Sequence, residues 1–547
     1  MFFRLLAIAT LSSFIFASAN EITLQWLKDK PRTYAKDFYI WQYLKQDITP
    51  TQAISALGQA NNVNNKLFYS YAKKLKHDET TGVMQCMRAK IANLINTNAD
   101  CLVVGLSVFQ ITKLNDTQLD KVYNTLSKKY PKKAKLISIA KAPIPFTKLI
   151  SSGNETFFKM FNNCGSRYRT NKLNYKIPKT TLKRLLKDKK FNQTIKLIVT
   201  NDKLKQIQKS LLEIDDSNLT HRSSFLLAIN ALKHNRFDQT EKYLDNAYNK
   251  AYYQFDRDKA TFWKYLTTGH TAHLTKLSQS WDINIYSLYA KEFFGQDIKN
   301  VVYKITHDNN DLVYEDKDVS DPFFWIPILN NLNNLDEKKL FDFKLVLNNT
   351  ETIPHLTFIL ERYNNYRKSY FITPYKEYLS KYSQERQSLI YSIARQESRF
   401  IPSSISTAYA MGVMQIMPFL SKAIAKQLEE NYEITDQLKA ETNLRYANFH
   451  LNFLDKAMKH PLLIAYAYNG GGGFTRSMFR KGLFIKQGPY EPYLSMEKVP
   501  YLETREYGKK VLANYIVYSS KNSKRQRVSS TLKNLSYYAK KSITKRN

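Results

Sequence analysis

Cysteine, histidine, glycine and proline are all scarce in this chain of 547 residues, which contains 3, 9, 15 and 16 of them respectively. No pair of cysteines or histidines stands at the spacing of metal ligands, so we expect no metal site, and no motif calls for another cofactor. A chain of this length is too long for one hydrophobic core and should divide into two or more units of roughly 100–200 residues.

Long apolar runs are also missing, except at the start of the chain. Arg4 is followed by an apolar stretch from Leu5 to Phe16 and by Ala17-Ser18-Ala19, which has the form of a signal peptidase site. The stretch is shorter than the roughly 20 residues that a membrane-spanning helix needs, which favours cleavage over an uncleaved membrane anchor. We therefore expect residues 1–19 to be a signal peptide and the exported protein to begin at Asn20.

Export permits disulfides, and only Cys86, Cys101 and Cys164 are present to form one. We favour a bond between Cys86 and Cys101, because it would close a short loop, which in the chain-entropy model is worth about 3 kcal/mol. Cys164 would then be an odd thiol that is buried rather than reactive.

Acidic side chains are outnumbered: 83 Lys and Arg stand against 47 Asp and Glu, and the formal net charge is +36. Such a balance first suggests nucleic acid, but an exported protein seldom meets that partner. Two interpretations stay open, long-range attraction to the anionic cell wall and plain solubilising charge. Residues 521–547 hold nine Lys or Arg and no acid, which predicts a solvated basic tail with a frayed helix, or else contact with the wall or a membrane surface.

Apolar residues at three- and four-residue spacing, with few glycines or prolines, predict helix pairs from about Asn20 to Leu379. Two stretches resemble one another, Leu186–Thr194 and, 46 residues later, Leu232–Thr240. Each is expected to join one helix to the next through a polar turn closed by an aromatic residue, Phe191 or Phe237. Such a period is typical of an α-solenoid, although two copies leave chance resemblance open. The predicted fold class is mainly α, with an N-terminal superhelix of helix pairs.

Glu397 is followed by 31 residues, Ser398 to Leu428, that contain no acidic side chain. Helical spacing puts this carboxyl on the same face as four apolar residues: Leu389, Ile390, Ile393 and Ala394. A carboxyl in such surroundings loses water around its charged form, which raises its pKa and keeps a proton available for general acid catalysis. The alternative is a glutamate that merely caps its helix or pairs with an arginine such as Arg395.

Three further elements follow Glu397 along the chain. The first, Ser406 to Pro418, holds a glycine that permits close backbone approach and polar and thioether groups suited to a sugar-binding floor. The second ends a helix at Asn469 and continues into four glycines, and the third is Val499 to Tyr507. Taken singly, each of the last two could be a helix cap with a packed aromatic residue.

Together these motifs resemble the soluble lytic transglycosylases of bacterial envelopes, whose catalytic domain looks like goose-type lysozyme. They occur in the family's order, as Glu397-Ser398, Gly412 to Pro418, Ala467 to Asn469, and Pro500 to Arg505. The resemblance implies a lysozyme-like catalytic domain at residues 371–520, preceded by the superhelical domain at 20–370 and followed by the basic tail at 521–547. It also implies a periplasmic location.

The resemblance implies roles for individual residues as well. Glu397 would be the sole catalytic acid and base. Positions associated with contacting or orienting the glycan and its peptide are Ser406, Gln415, Met417, Tyr468, Asn469 and Glu503. Tyr409 stands where the family usually has glycine, and we expect it to narrow or reshape the cleft.

These features predict a peptidoglycan lytic transglycosylase that cleaves the bond between N-acetylmuramic acid and N-acetylglucosamine. Hydrolysis normally calls for two carboxylates, whereas attack by the sugar's own C6 hydroxyl needs no external nucleophile, so one carboxyl suffices. The expected partners are glycan strands and stem peptides, with other cell-wall enzymes as further candidates, and no nucleic acid. Two alternatives stay open, a lysozyme-type hydrolase and a non-catalytic envelope scaffold.

Overall fold

The structure is a computed structural model that describes residues 21–75, 78–305, 318–333, 335–347, 349–521 and 526–544. The chain divides into two compact units, Met1–Met84 and Gln85–Asn547. The predicted signal peptide lies outside the described residues. The predicted domain boundary near residue 370 falls inside the second unit and stays a prediction.

Helices make up nearly all of the regular structure. The first unit contains α1 (Leu24–Asp29), α2 (Tyr34–Tyr43), α3 (Pro50–Leu57) and α4 (Asn65–Leu75), and α5 (Asp78–Arg88) crosses into the second. The second unit continues with α6 (Ile91–Leu94), α7 (Ala99–Gly105), α8 (Val108–Ile111), α9 (Asp116–Ser127), α10 (Pro131–Lys141), α11 (Pro145–Ile150), α12 (Asn154–Asn163), α13 (Ser166–Lys172), α14 (Lys179–Leu185), α15 (Phe191–Val199), α16 (Lys205–Lys209), α17 (His221–Lys233), α18 (Phe237–Lys250), α19 (Gln254–Thr268), α20 (Ala272–Ser278) and α21 (Ile285–Phe293).

The remaining helices follow a short strand, β1 (Val301–Val302). They are α22 (Pro322–Asn330), α23 (Glu337–Val346), α24 (Ile353–Tyr363), α25 (Lys376–Leu379), α26 (Gln384–Glu397), α27 (Pro418–Gln427), the 3-10 helix Ile434–Leu438, α28 (Ala440–Met458), α29 (Pro461–Gly470), α30 (Gly472–Arg480), α31 (Tyr493–Glu497), α32 (Leu502–Lys521), α33 (Val528–Lys533) and α34 (Leu535–Thr544). In the described ranges, β1 and β2 (Ser369–Tyr370) are the only strands, and they pair in parallel with Val301 opposite Ser369. The prediction of a mainly α-helical chain is confirmed.

Local sequence signals place many of the helix ends. The Asn284 side chain caps α21 by accepting from the backbone N–H of Tyr286 and of Ser287, each at 3.0 Å. Ser383 caps α26 by accepting from the N–H of Arg386 at 3.3 Å. The helices α27 and α29 begin at prolines, whose missing N–H would have no partner in a first turn.

The two similar stretches of the helical region both form turns between consecutive helices, as their pattern predicts. The first joins α14 to α15 and the second joins α17 to α18. The aromatic residue begins the second helix each time, but Phe191 is fully buried whereas Phe237 is 53% exposed. Only the first turn is therefore closed onto the core by its ring.

The cysteines are arranged as the sequence suggests. Cys86 and Cys101 form a disulfide near the start of the second unit, with their Cα atoms 5.2 Å apart. Cys164 is a buried free thiol, and burial raises its pKa to about 11. That shift keeps the thiol protonated and therefore unreactive near neutral pH.

The basic segment at 521–547 differs from the solvated tail that its charge suggests. Within it, α33 packs against α21, and α34 packs against α28 and α30. Four apolar residues at helical spacing become buried: Val528, Leu532, Leu535 and Ala539. This apolar stripe decides the outcome, because the basic side chains can stay in water on the opposite face.

Helices α26, α29 and α32 form the framework of the predicted catalytic region, since α32 packs against both of the others. Their buried residues belong to one large core that also includes residues of the upstream helices. In the part of the chain that the structure describes, no helix is long and apolar enough to cross a membrane.

Candidate active site

Glu397 is the last residue of α26, and its side chain is half-buried. The preceding residues Leu389, Ile390, Ile393 and Ala394 are all buried, as the helical pattern predicts. Ser398 ends the helix, and its hydroxyl donates to the backbone carbonyl of Val413 at 2.7 Å. This bond ties the end of α26 to the loop that carries Gly412.

The Glu397 carboxyl accepts a hydrogen bond from a neighbouring helix. The hydroxyl of Tyr507, on α32, donates to Glu397 Oε1 at 2.7 Å. Burial raises the pKa of Glu397 to about 7, although the Tyr507 hydrogen bond opposes the shift, and the negative charge of Glu503 adds to it. The predicted rise of this pKa is confirmed, and its main cause is the loss of water around the charged form.

Arg395, the alternative partner of Glu397, is engaged elsewhere. Its guanidinium donates to Glu361 Oε1 at 2.7 Å and to the side-chain oxygen of Asn514 at 3.0 Å. Arg399 also contacts the other Glu361 oxygen at 3.0 Å. The two arginines therefore neutralise Glu361, a residue of α24, and the hydrogen-bond partner of Glu397 is a tyrosine.

The loop from Ser398 to Met417 contains several residues in the left-handed region of backbone space. The φ angles are 57° at Arg399, 69° at Phe400, 65° at Tyr409 and 49° at Gln415. Such conformations are costly for side chains other than glycine, and they are held only where the surroundings fix them. Strain of this kind is concentrated at functional sites in proteins.

Gly412 shows why one position of this loop must be glycine. Its φ is 80°, and an added Cβ would lie 2.1 Å from the carbonyl oxygen of Gln437 and 2.4 Å from the Asn443 side chain. Asn443 in turn donates to the carbonyl of Met411 at 3.0 Å and accepts from the N–H of Met414 at 2.7 Å. The glycine thus lets the loop lie directly against α28.

Tyr409 adopts a backbone conformation that suits glycine, with φ at 65°. This conformation accounts for the glycine that soluble lytic transglycosylases usually have at the matching position. The Tyr409 side chain is fully buried. Its ring therefore packs inside the fold, which differs from the expectation that it would reshape the cleft surface.

Ser406 and Gln415 use their side chains to hold the loop itself. The Ser406 hydroxyl accepts from the N–H of Ala410 at 2.9 Å. The Gln415 amide donates to the carbonyls of Ser404 and Gly412 at 3.0 and 2.9 Å. Met417 is half-buried at the start of α27. These contacts fix the backbone of the loop, which Ser398, the residue after Glu397, holds through the Val413 carbonyl.

Tyr468 and Asn469 stand together near the end of α29. The Tyr468 hydroxyl donates to the carbonyl of Met414 at 2.7 Å, and burial followed by the charge of Glu397 raises its pKa well above the usual value. Asn469 donates to Glu503 Oε1 at 3.3 Å and accepts from the Thr504 hydroxyl at 2.7 Å. Glu503 is itself exposed. The structure therefore brings Glu397, Tyr468 and Glu503 into one electrostatic group.

Tyr507 is the residue that the sequence analysis missed. It follows Glu503 by four positions on α32, so the two side chains share a helix face. That spacing is the signal that could have found it. The next residue, Gly508, allows α29 to approach, because an added Cβ would lie 2.3 Å from the Tyr466 ring.

Residues 374–483 match the family model of the Transglycosylase SLT domain. The matched range lies inside the predicted catalytic domain and contains Glu397, the Gly412 loop and Asn469, whereas Glu503 and Tyr507 lie beyond it. The predicted resemblance to soluble lytic transglycosylases is confirmed for this part of the chain.

Curated relatives give similar matches over short stretches. Identity is 33% over 126 residues with a putative soluble lytic murein transglycosylase of Haemophilus influenzae, covering 22% of this chain and 20% of the relative. It is 32% over 149 residues with the soluble lytic murein transglycosylase of Salmonella typhimurium, covering 26% and 22%. The matched part is thus about a fifth of the length of these relatives.

Two solved structures align over most of the chain at low identity. The 70-kDa soluble lytic transglycosylase of Escherichia coli aligns with a TM-score of 0.48 and 16% identity, covering 92% of this chain and 88% of that chain. An inactive mutant of the lytic transglycosylase Slt from Pseudomonas aeruginosa aligns with a TM-score of 0.47 and 15% identity, covering 92% and 89%.

Proposed function

We propose that this chain is an exported lytic transglycosylase that cleaves peptidoglycan between N-acetylmuramic acid and N-acetylglucosamine and leaves a 1,6-anhydro ring on the muramic acid. One observation carries the proposal: the half-buried Glu397 carboxyl has a pKa raised to about 7 and so retains a proton near neutral pH. The domain match over residues 374–483 supports the same chemistry. With the predicted signal peptide, the proposed location is the periplasm.

In the first step, Glu397 acts as a general acid. Because Oε1 accepts from Tyr507, the proton is carried on Oε2. Glu397 gives this proton to the glycosidic oxygen as the bond from that oxygen to C1 of N-acetylmuramic acid breaks. The N-acetylglucosamine residue leaves with a new hydroxyl, and the acetamido group of the muramic acid stabilises the cation that develops at C1.

In the second step, the Glu397 carboxylate acts as a base. It takes the proton from the C6 hydroxyl of N-acetylmuramic acid while that oxygen attacks C1 and closes the anhydro ring. Glu397 is then protonated again, and no water is consumed. The Tyr507 hydroxyl stabilises the carboxylate between the two steps, because a hydrogen bond to a charged acceptor is stronger than one to a neutral acceptor.

The surrounding residues supply position rather than protons in this proposal. General acid catalysis contributes about 100- to 10,000-fold, so the rest of the acceleration must come from orienting and distorting the sugar. Ser406 and Gln415 hold the loop backbone that forms the sugar-binding floor, with Met417 at its edge. Tyr468, Asn469 and Glu503 orient the glycan and its peptide, and Tyr468 also contacts the loop through the Met414 carbonyl.

A lysozyme-type hydrolase is the second candidate, and Glu503 is the observation that favours it. This second carboxylate lies close enough to raise the pKa of Glu397. A hydrolase would use such a group to hold water or to attack C1. Glu503 is exposed and bound to Asn469, which suits a role in orienting substrate, so transglycosylation is the first choice.

Product analysis separates these functions. Purified peptidoglycan is digested with the wild-type protein, Glu397→Gln and Glu503→Gln, and the released fragments are weighed by mass spectrometry. We expect the wild type to release anhydro products, each lighter by one water than the hydrolytic fragment, and Glu503→Gln to release the same products more slowly. Reducing-end products that disappear in Glu503→Gln would establish the hydrolase, and no products from the wild type would favour the scaffold.

A further inference from the structure

Three aromatic rings form a row that starts at the candidate active site and ends in solvent. The ring centroids of Tyr468 and His450 are 5.8 Å apart, and those of His450 and Phe453 are 6.5 Å apart. His450 and Phe453 are three positions apart on α28, so their side chains share one face of that helix. The row therefore connects α29, which carries Tyr468, with the outer face of α28.

The outer end of the row is an open aromatic surface. The rings of His450 and Phe453 are nearly parallel, with 16° between their planes, and Phe453 is 55% exposed. A single exposed apolar residue is ordinary in a folded protein. This one differs because it continues a set of packed rings that reaches Tyr468, whose surroundings include the charge of Glu397.

The row carries no charge at neutral pH. Burial lowers the pKa of His450, which favours its neutral form, and burial with the charge of Glu397 keeps Tyr468 protonated. A flat, neutral aromatic surface beside a glycosidase-like site suits a ligand with one apolar face and a polar edge. A pyranose ring has this character, because its C–H bonds form a face and its hydroxyls lie around the rim.

We propose that Phe453 and His450 form a subsite that binds a sugar ring of the same glycan strand, away from the bond that Glu397 cleaves. The proposal rests on the proposed function and extends it to a preference for long glycan strands over short ones. The ring contacts at 5.8 and 6.5 Å make the exposed surface of Phe453 continuous with Tyr468, so a strand bound at Glu397 can extend onto it. A strand long enough to reach Phe453 would therefore gain binding that a short fragment cannot.

Such a subsite has a defined kinetic signature. Contacts made equally in the ground state and the transition state lower KM and leave kcat unchanged. Phe453→Ala should therefore raise KM for long strands with little change in kcat. The ratio of kcat/KM for long strands to kcat/KM for short ones should fall about tenfold, the equivalent of about 1.4 kcal/mol. Phe453→Trp should restore most of it.

Phe341→Ala is the matched control. Phe341 is also a helical phenylalanine, on α23, and is 60% exposed. Its change to alanine therefore removes an exposed apolar area similar to that removed by Phe453→Ala. The substrates are glycan strands purified from peptidoglycan and sorted by length, with a disaccharide that contains one cleavable bond as the short one. Binding of the same strands to Glu397→Gln, with and without Phe453→Ala, gives a second measurement that does not depend on turnover.

We expect Phe453→Ala to weaken binding and turnover of long strands selectively and Phe341→Ala to change neither. The subsite is refuted if Phe453→Ala behaves like Phe341→Ala, or if it affects the disaccharide and long strands equally. Loss of self-association in Phe453→Ala, without an effect on long strands, would also overturn it and assign the surface to a second copy of the chain. Failure of the proposed function shows separately, as a wild type that releases no anhydro products.

Discussion

Glu397 and Glu506 are both carboxyl groups with little access to water, yet their surroundings drive their protonation in opposite directions. Burial raises the pKa of Glu397 to about 7, and its hydrogen-bond donor is the neutral hydroxyl of Tyr507. Burial also opposes ionisation of Glu506, but Lys259, Lys509 and Arg505 outweigh it and hold the pKa of Glu506 below its usual range. Nearby cations, rather than burial alone, decide whether a buried acid keeps its proton.

The ion network around Glu506 connects the helical region with the helix that carries Tyr507. Lys259 on α19 lies 3.7 Å from Glu506 on α32, and Lys509 lies 3.1 Å from Glu506 and 2.8 Å from Glu497. The Tyr286 hydroxyl of α21 donates to the same Glu497 oxygen at 2.8 Å. The residue after Glu506 is Tyr507, so this network fixes the part of α32 that meets Glu397.

Breaking the network should have the largest effect on stability. Lys509→Met leaves Glu497 and Glu506 in a buried region with one lysine fewer, and Lys509 itself has no exposed side-chain surface. Loss of one partner from a buried ion pair costs about 3–5 kcal/mol. We expect that decrease in the free energy of unfolding, measured with urea. Lys510→Met, at the next and exposed position, is the control, and an equal decrease in both variants would mean that the network is not stabilising.

Removing the proton carrier should have the largest effect on activity. Glu397→Gln keeps the shape of the side chain but cannot give and recover a proton, so release of anhydro products should fall about 100- to 10,000-fold. Thermal unfolding should show an intact fold. Near-normal product release by this variant would contradict the role of Glu397.

Stability and pH should separate the two carboxyls. Folding raises the pKa of Glu397 from about 4.3 to about 7. The protonated carboxyl does not destabilise the fold, but the free energy of unfolding should fall as the pH rises through this range, because the unfolded chain loses its proton more readily than the folded one. Above that range we expect Glu397→Gln to be more stable than the wild type by on the order of 2 kcal/mol. Glu506 has a lowered pKa, so its contribution is present above about pH 4.3 and is lost as the pH falls further. The difference in free energy of unfolding between the wild type and each glutamine variant should therefore change with pH in opposite directions for Glu397 and Glu506. Parallel curves would mean that the two surroundings do not shift the two pKa values in opposite directions.

A smaller effect should come from the Tyr507 hydroxyl. Since its hydrogen bond lowers the pKa of Glu397, Tyr507→Phe should raise that pKa and move the basic limb of the pH–activity profile to higher pH. A hydrogen bond to a charged group contributes about 1.5–3 kcal/mol. Only the difference between this bond and the weaker one to the neutral carboxyl shifts the pKa, so the effect is small. Tyr518→Phe is the control. It removes another tyrosine hydroxyl of α32, which donates to the Ile372 carbonyl, and it should leave the pH–activity profile unchanged. Identical profiles for all three proteins would exclude this role of Tyr507.

The sequence predicted those parts of the site that depend on local pattern. The apolar face of α26 is visible in the spacing of Ile390, Ile393 and Glu397, and the rise in pKa follows from it. The need for glycine at position 412 is visible only as a motif, because the atoms that exclude a side chain belong to Gln437 and Asn443.

What the sequence could not predict depends on contacts between distant residues. The pairing of Arg395 with Glu361 and the bond from Tyr507 to Glu397 join residues 34 and 110 positions apart. The packing of α33 and α34 could not be predicted from the sequence for another reason. Their basic composition suggested a solvated tail, whereas the four buried apolar positions of the stripe required a partner surface that only the folded structure provides.

The proposed function depends on the Glu397 carboxyl, which holds a proton at neutral pH and has the neutral Tyr507 hydroxyl as its hydrogen-bond partner. The most direct test is a titration followed by carbon-13 NMR of the glutamate carboxyl groups, with the Glu397 signal assigned by its absence from Glu397→Gln. We expect a midpoint near 7 for this signal. A midpoint in the range of an ordinary exposed glutamate, about 4.3, would mean that the carboxyl is already charged at neutral pH and cannot act as the acid.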